Sequence, residues 1–186
     1  MMRVLRLLCL AAIAASPAMA QEQTLVSGSV ESGGFGAPVV KFAQVAGQSA
    51  VYFGGRGGWI INHSFVLGAA GYGLASDVRL DPRFFGRQLE FGYGGMDLEF
   101  VVASNSIIHA SLQTLVGAGG VRPFYEPTDA VFVVEPQINI ILNVAPFMRM
   151  AVGGSYLWVT DVDTPSLRPD DLSSFTGSFQ VKFGKF

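Results

Sequence analysis

The chain has 186 residues, half of them hydrophobic and only 14% charged, with one cysteine, two histidines and a formal net charge of −2. That balance excludes a nucleic-acid binder, which needs a basic patch, and a disulfide-stapled exported domain, which needs paired thiols. So few cysteines and histidines also argue against a zinc site, and no cofactor motif is present.

Residues 1–20 read as a cleaved secretory signal. Arg3 and Arg6 form a basic start, Leu7–Ala15 an apolar stretch, and Pro17–Ala20 a small-x-small cleavage site before Gln21. The apolar stretch is too short for an anchoring helix, and Cys9 leaves with it. The mature part, 21–186, then carries 10 basic and 14 acidic side chains and no thiol. No run of roughly 18 apolar residues follows, so no transmembrane helix is expected. If this chain enters a membrane it must do so as a closed β-barrel, because only helices and closed barrels satisfy every backbone group in hydrocarbon.

Period-2 alternation predicts eight strands, at 24–35, 49–61, 65–76, 88–103, 107–120, 130–142, 147–159 and 173–185. The first runs on to 45 if the connection after it is a tight turn at Ala46–Gln48 and not a loop near Gly33–Pro38. Most are longer than the usual five or six residues of globular strands, and they suit a tilted crossing of a bilayer. Their connections alternate in length. Asn62–Ser64, Ser104–Ser106 and Asn143–Pro146 are short, whereas Val78–Arg87, Val121–Asp129 and Thr160–Leu172 are longer and more polar. That rhythm is expected of an outer-membrane barrel with tight periplasmic turns, longer outside loops and both termini in the periplasm.

Parity assigns faces. Met96, Leu98, Phe100 and Val102 oppose Asp97 and Glu99; Ile108, Leu112 and Val116 oppose His109, Ser111 and Gln113; Phe175, Phe179, Val181 and Phe183 oppose Thr176, Ser178, Gln180 and Lys182. Val26 and Val30 oppose Ser27, Ser29 and Glu31 in the first strand. Phe91 and Tyr93 share parity with Asp97, which requires a bulge or a partly apolar lumen. Pro136 falls on the lipid-facing parity and removes a ladder donor, so a local bulge is expected there.

The predicted inner face holds a polar network of Glu31, Arg56, Asp97, Glu99, Glu135, Gln137, Asn139, Arg149 and Lys182. Eight strands enclose a space that side chains can fill, so opposite charges should meet there and plug it. A narrow gated path for small solutes is the functional alternative. Trp59, Tyr72, Tyr156 and Trp158 near strand ends form the expected aromatic girdle. Glycine runs such as "YFGGRGGW" and "FGYGG" precede no helix and lack phosphate-loop spacing, so they serve strand curvature. The loop with Asp161, Asp163, Arg168, Asp170 and Asp171 is a candidate for contact with a partner or divalent cation, but it lacks a calcium-loop spacing and reads first as solvated. His63 is a turn residue.

Three resemblances add to this. The end "FTGSFQVKFGKF" resembles the assembly signal of bacterial outer-membrane proteins, with Phe179, Val181 and Phe183 one residue out of phase with Phe186. It implies the outer-membrane assembly machinery as a partner. The stretch "SGGFGAPVVKFAQVAGQSAVYFGGRGGWIINHSFVLGAAGYGL" is similar to a Gly-rich group of small bacterial outer-membrane barrels, and carries no activity or functional residues to transfer. His109-Ala110-Ser111 has the His-x-Ser spacing of outer-membrane lipid A deacylases. Here both side chains take lumen parity with no suitably placed acid, which argues against a lipid-modifying hydrolase.

The expectation is an all-β, eight-stranded antiparallel up-and-down transmembrane barrel in the outer membrane of a Gram-negative-type bacterium. Its expected role is non-catalytic, presenting surface loops or anchoring a protein partner, with no cofactor and no nucleic acid. Its nearest neighbours are outer-membrane lipids. A soluble exported lipocalin-like binder is the remaining rival.

Overall fold

A computed structural model describes residues 31–78, 89–122, 127–165 and 167–186. The expected signal at 1–20, the first part of the first predicted strand with Val26 to Val30, and most of the Val78–Arg87 connection lie outside the described residues. Glu31–Phe186 form one compact unit.

Eight antiparallel strands follow one another around a closed barrel: β1 (Ser32–Val45), β2 (Gln48–Ile61), β3 (Phe65–Leu74), β4 (Glu90–Val102), β5 (Ile108–Arg122), β6 (Asp129–Ala145), β7 (Met148–Thr160) and β8 (Ser174–Lys185). β1 closes the ring against β8, from Gly34 opposite Lys185 to Phe42 opposite Gly177. Closure leaves no sheet edge unpaired, which is the condition for backbone in hydrocarbon.

The first connection is the tight turn. Ala46 and Gly47 both have positive φ, 48° and 73°, a type I′ geometry whose twist matches the strands it joins. Asn62 and His63, at 49° and 57°, repeat it between β2 and β3, with Ser64 N–H donating to the Ile61 carbonyl at 3.2 Å. The β2–β3, β4–β5 and β6–β7 turns lie at the same end as the chain's C-terminus, here the turn end. The longer connections gather at the opposite, loop end. The last of them carries a one-turn helix, α1 (Pro169–Leu172).

Burial alternates along nearly every strand, and its sense is inverted relative to a soluble protein. Charged and amide side chains such as Asp97, Glu99 and Asn139 are buried, while Ile107, Ile108, Ile138 and Phe175 are 72%, 64%, 62% and 82% exposed. A continuous apolar exterior of this extent matches hydrocarbon and not water. Phe91 and Tyr93 are buried beside Tyr52 and Tyr72, so the lumen is partly apolar and β4 has no bulge.

The bulge expected at Pro136 is absent. Pairing of β6 with β7 pauses after Val134–Trp158 and resumes at Gln137–Ser155 in unchanged register; the irregularity lies at Asn143/Ala145. Pro38 coincides with a similar pause between β1 and β8. Each proline removes a donor, and the ladders on either side keep the register without inserting a residue.

Glycine solves a packing problem where strands bring bulky lumen groups close. A Cβ on Gly95 would lie 2.5 Å from the Gly117 Cα, with the Val116 backbone closer still. At Gly73, on the outer face, a Cβ would meet nothing within 4 Å. Gly95→Leu should therefore destabilise the barrel by about 1–3 kcal/mol through overpacking, whereas Gly73→Leu should be tolerated. Urea midpoints of the two variants refolded in liposomes check this contrast.

Candidate functional site

The interior is built from one face of all eight strands. At its centre the Arg56 guanidinium, brought in by β2, reaches four other side chains. Its Nε donates to Asp97 at 2.9 Å and its Nη2 to Asp97 and to Glu99, the latter at 2.9 Å. Its Nη1 donates to Gln113 at 3.0 Å and Gln180 at 3.3 Å. The planar five-donor fork is the group suited to such a multiple contact.

Both acids are held from the other side as well. Gln113 Nε2 donates to Asp97 at 2.8 Å; Lys182 Nζ donates to both Glu99 oxygens at 2.8 and 2.9 Å, and Ser111 Oγ to Glu99 at 2.6 Å. Asn139 links Ser111, at 3.2 Å, with Gln113, at 3.0 Å, and accepts from Gln137 and Gln180. Nearer the loop end is a second group. Lys41 Nζ donates to Glu135 at 2.6 Å and lies 3.6 Å from the centre of the Tyr72 ring, while Tyr93 and Ser155 donate to Glu135 at 3.0 and 2.7 Å.

Three buried cations, Lys41, Arg56 and Lys182, thus face three buried carboxylates, Asp97, Glu99 and Glu135. Ion pairs out of water are tolerated only when charges balance and the remaining lone pairs are satisfied. Both conditions are met here.

Apolar layers close the two ends. At the turn end, Phe35, Ile60, Val66 and Val101 cluster, with Phe186 packed against them. At the loop end, Val78, Leu89, Leu167 and Leu172 come down from the connections onto Val45, Tyr52 and Val133. Hydrogen bonds fix this cap: Ala46 N–H to the Asp171 carbonyl at 2.7 Å, Leu89 N–H to the Val78 carbonyl at 3.0 Å, and Val159 N–H to Ser173 Oγ at 3.0 Å.

The sequence-derived residues separate on this frame. Arg56, Asp97, Glu99, Glu135, Gln137, Asn139 and Lys182 come together in the lumen. Glu31 does not: it precedes β1, its side chain is 73% exposed, and it faces His63 at 3.5 Å. Arg149 is half-buried near the turn end, with its guanidinium over the Phe186 ring at 4.1 Å and no acidic partner among the described residues. Tyr72 belongs to the lumen and not to a girdle, because β3 turns Val66, Ala70 and Tyr72 inward together. Trp59, Tyr156 and Trp158 do face outward, Trp59 toward the turn end and the other two toward the loop end. Lys41, Gln113, Gln180, Tyr52 and Tyr93 are further members of the buried set. The signal for Lys41 was its opposite parity to Phe42.

Ser111 does have an acid beside it, contrary to expectation, but the wrong contact for a triad. Its hydroxyl proton goes to Glu99, while His109 Nδ1 faces the Ser106 carbonyl oxygen at 3.1 Å and Nε2 is buried without a partner. Among the described residues no group of three or more His, Cys, Asp or Glu is placed to hold a metal ion.

Arg56→Ala should leave Asp97 without a cation in the interior, while Glu99 keeps Lys182, and cost about 3–5 kcal/mol. Neutralising a whole pair, Lys41→Met with Glu135→Gln, should cost less than either single change, as read from a double-mutant cycle of unfolding free energies.

No protein-family model matches the chain, and no curated protein matches it in sequence. Solved structures do. The N-terminal β-barrel domain of Pseudomonas aeruginosa OprF superposes with a TM-score of 0.59 at 5% identity, covering 84% of this chain and 99% of that one. Neisserial surface protein A gives 0.55 at 15% identity, covering 86% and 100%. Ail, the attachment invasion locus protein of Yersinia pestis, gives 0.50 at 10% identity, covering 82% and 97%. The chain therefore has the fold of the small bacterial outer-membrane β-barrels.

Proposed function

We propose that this chain is a non-catalytic outer-membrane barrel that displays its loop end outside the cell, as a contact surface or an anchor for a partner. The observation that carries this reading is the filled lumen. Six buried charges neutralise one another at hydrogen-bond distance, with apolar layers above and below, which supports a plugged interior over a wet path. The Ser111–Glu99 bond and the solitary His109 speak against a hydrolase in the same way. Two of the similar structures, a surface protein and an attachment protein, carry names in keeping with display. Export through cleavage before Gln21, and recognition of the last strand by the assembly machinery, complete the proposal.

Planar bilayers containing the purified barrel should show no discrete conductance, and Glu135→Gln should leave them silent; unitary currents altered by that change would instead make it a channel. Overexpression should leave lipid A and phospholipid composition unchanged, and Ser111→Ala should be indistinguishable from the parent by lipid mass spectrometry. The protein recovered from membranes should begin at Gln21 by intact mass and show heat-modifiable gel mobility. Recovery in the soluble periplasm would overturn the reading.

A further inference from the structure

The two ends of the lumen are closed by different means. At the loop end the cap is fastened by hydrogen bonds: Ala46 N–H to the Asp171 carbonyl, Leu89 N–H to the Val78 carbonyl and Val159 N–H to Ser173 Oγ. At the turn end Phe35, Ile60, Val66 and Val101 stand on the ladders of β1 to β4. Phe186, the half-exposed member of that layer, does not. It lies one residue past the last β1–β8 pair, Gly34 with Lys185. Last residues stay ordered only where something ties them down. The phase of the last strand explains its position: Phe179 and Phe183 face outward, while Phe186 takes the parity of Lys182 and turns inward.

Two ring contacts tie Phe186 down. Its ring stacks on that of Phe35, with centres 6.3 Å apart and planes at 28°, and the Arg149 guanidinium lies over it at 4.1 Å. Arg149 is available for this because the acid whose field reaches it, Glu99, already accepts from Arg56, Lys182 and Ser111. A cation over a ring face has neither the direction nor the strength of a charged hydrogen bond. Behind Phe186, Phe35 is the last layer before the charges. The centre of its ring is 5.0 Å from Lys182 Nζ and 5.1 Å from Arg56 Cζ.

We propose that Phe186 is a hinged lid on the turn end of the lumen, clasped by Arg149, and that the interior exchanges with water there and not at the loop end. When the lid swings out, water reaches Phe35 and Val101. The loop-end cap stays shut, so the lumen is wetted from one side without being crossed. The inference goes beyond the plugged interior and concerns how the plug is kept dry.

Residues 21–186 contain no cysteine, so single cysteines report access to water cleanly. Val101→Cys places one behind the lid, and Val133→Cys places one under the loop-end cap. Each is refolded in detergent micelles, where both ends meet water, and its labelling by a charged methanethiosulfonate is timed. Val101→Cys should react slowly but measurably. Adding Phe186→Ala should speed that reaction roughly tenfold, as loss of an aromatic pair allows. Adding Arg149→Gln should speed it roughly threefold, in keeping with one cation–π contact. Val133→Cys should stay unreactive in all three backgrounds. If Phe186→Ala fails to gain heat-modifiable mobility, Phe186→Leu, which keeps an apolar terminus without the ring, takes its place. Unchanged labelling of Val101→Cys in the lid and clasp variants would overturn the proposal. So would equal acceleration at Val133→Cys, since the whole barrel would then be loosening.

Discussion

Everything in this barrel depends on a guanidinium in a place without water. Arg56 stands on β2 and bonds side chains from β4, β5 and β8, so one residue ties four strands of the ring through its interior. An exterior matched to hydrocarbon provides no hydrophobic force to draw these strands together, since apolar surface gains nothing by leaving lipid for a protein interior. Cohesion must come from backbone ladders and from what fills the lumen. Charge-assisted hydrogen bonds are the strongest material available for that purpose, provided the charges cancel.

Cancellation has a geometric demand. Arg56, Lys41 and Tyr93 are long, and the wall must leave room for them. Gly95 and Gly117 face each other across β4 and β5 with their backbones in close approach. Tyr52, Tyr72, Phe91 and Tyr93 then form the aromatic layer between the charges and the loop-end cap. The sequence spends its small residues on the wall so that it can spend large ones inside, and the two choices belong to one packing problem.

Much of this was legible from alternation. Asp97 and Glu99 between Met96, Leu98 and Phe100 can occupy only one face, whereas the first connection stays open in sequence between Ala46–Gln48 and Gly33–Pro38, and the positive φ of Ala46 and Gly47 decides for the former. What escaped reading did so for physical reasons. Lys41 sits in "PVVKF", where two adjacent valines blur the period, one of them inward and one half-exposed. Tyr72 reads in sequence as an interfacial aromatic because an amphipathic ring suits either a membrane surface or a polar lumen; only the parity of Val66 and Ala70 decides. Glu31 shared the parity of the lumen but stands just before the barrel begins, and parity has no meaning outside the ladder. Pro136 shows that a missing donor can be absorbed as a pause in pairing, which no count of residues reveals.

The cap at the loop end has a consequence for how the molecule is assembled. The amide of Ala46, in the first hairpin, is held by the carbonyl of Asp171, in the last connection, and Arg56 reaches Gln180 across 124 positions of chain. Neither bond can exist while the sheet is open. Until β8 meets β1, three cations and three carboxylates line the concave side of an incomplete ring and still hold their water. Seam closure and dehydration of the lumen are therefore a single event, and the last strand to arrive is also the one that expels the solvent.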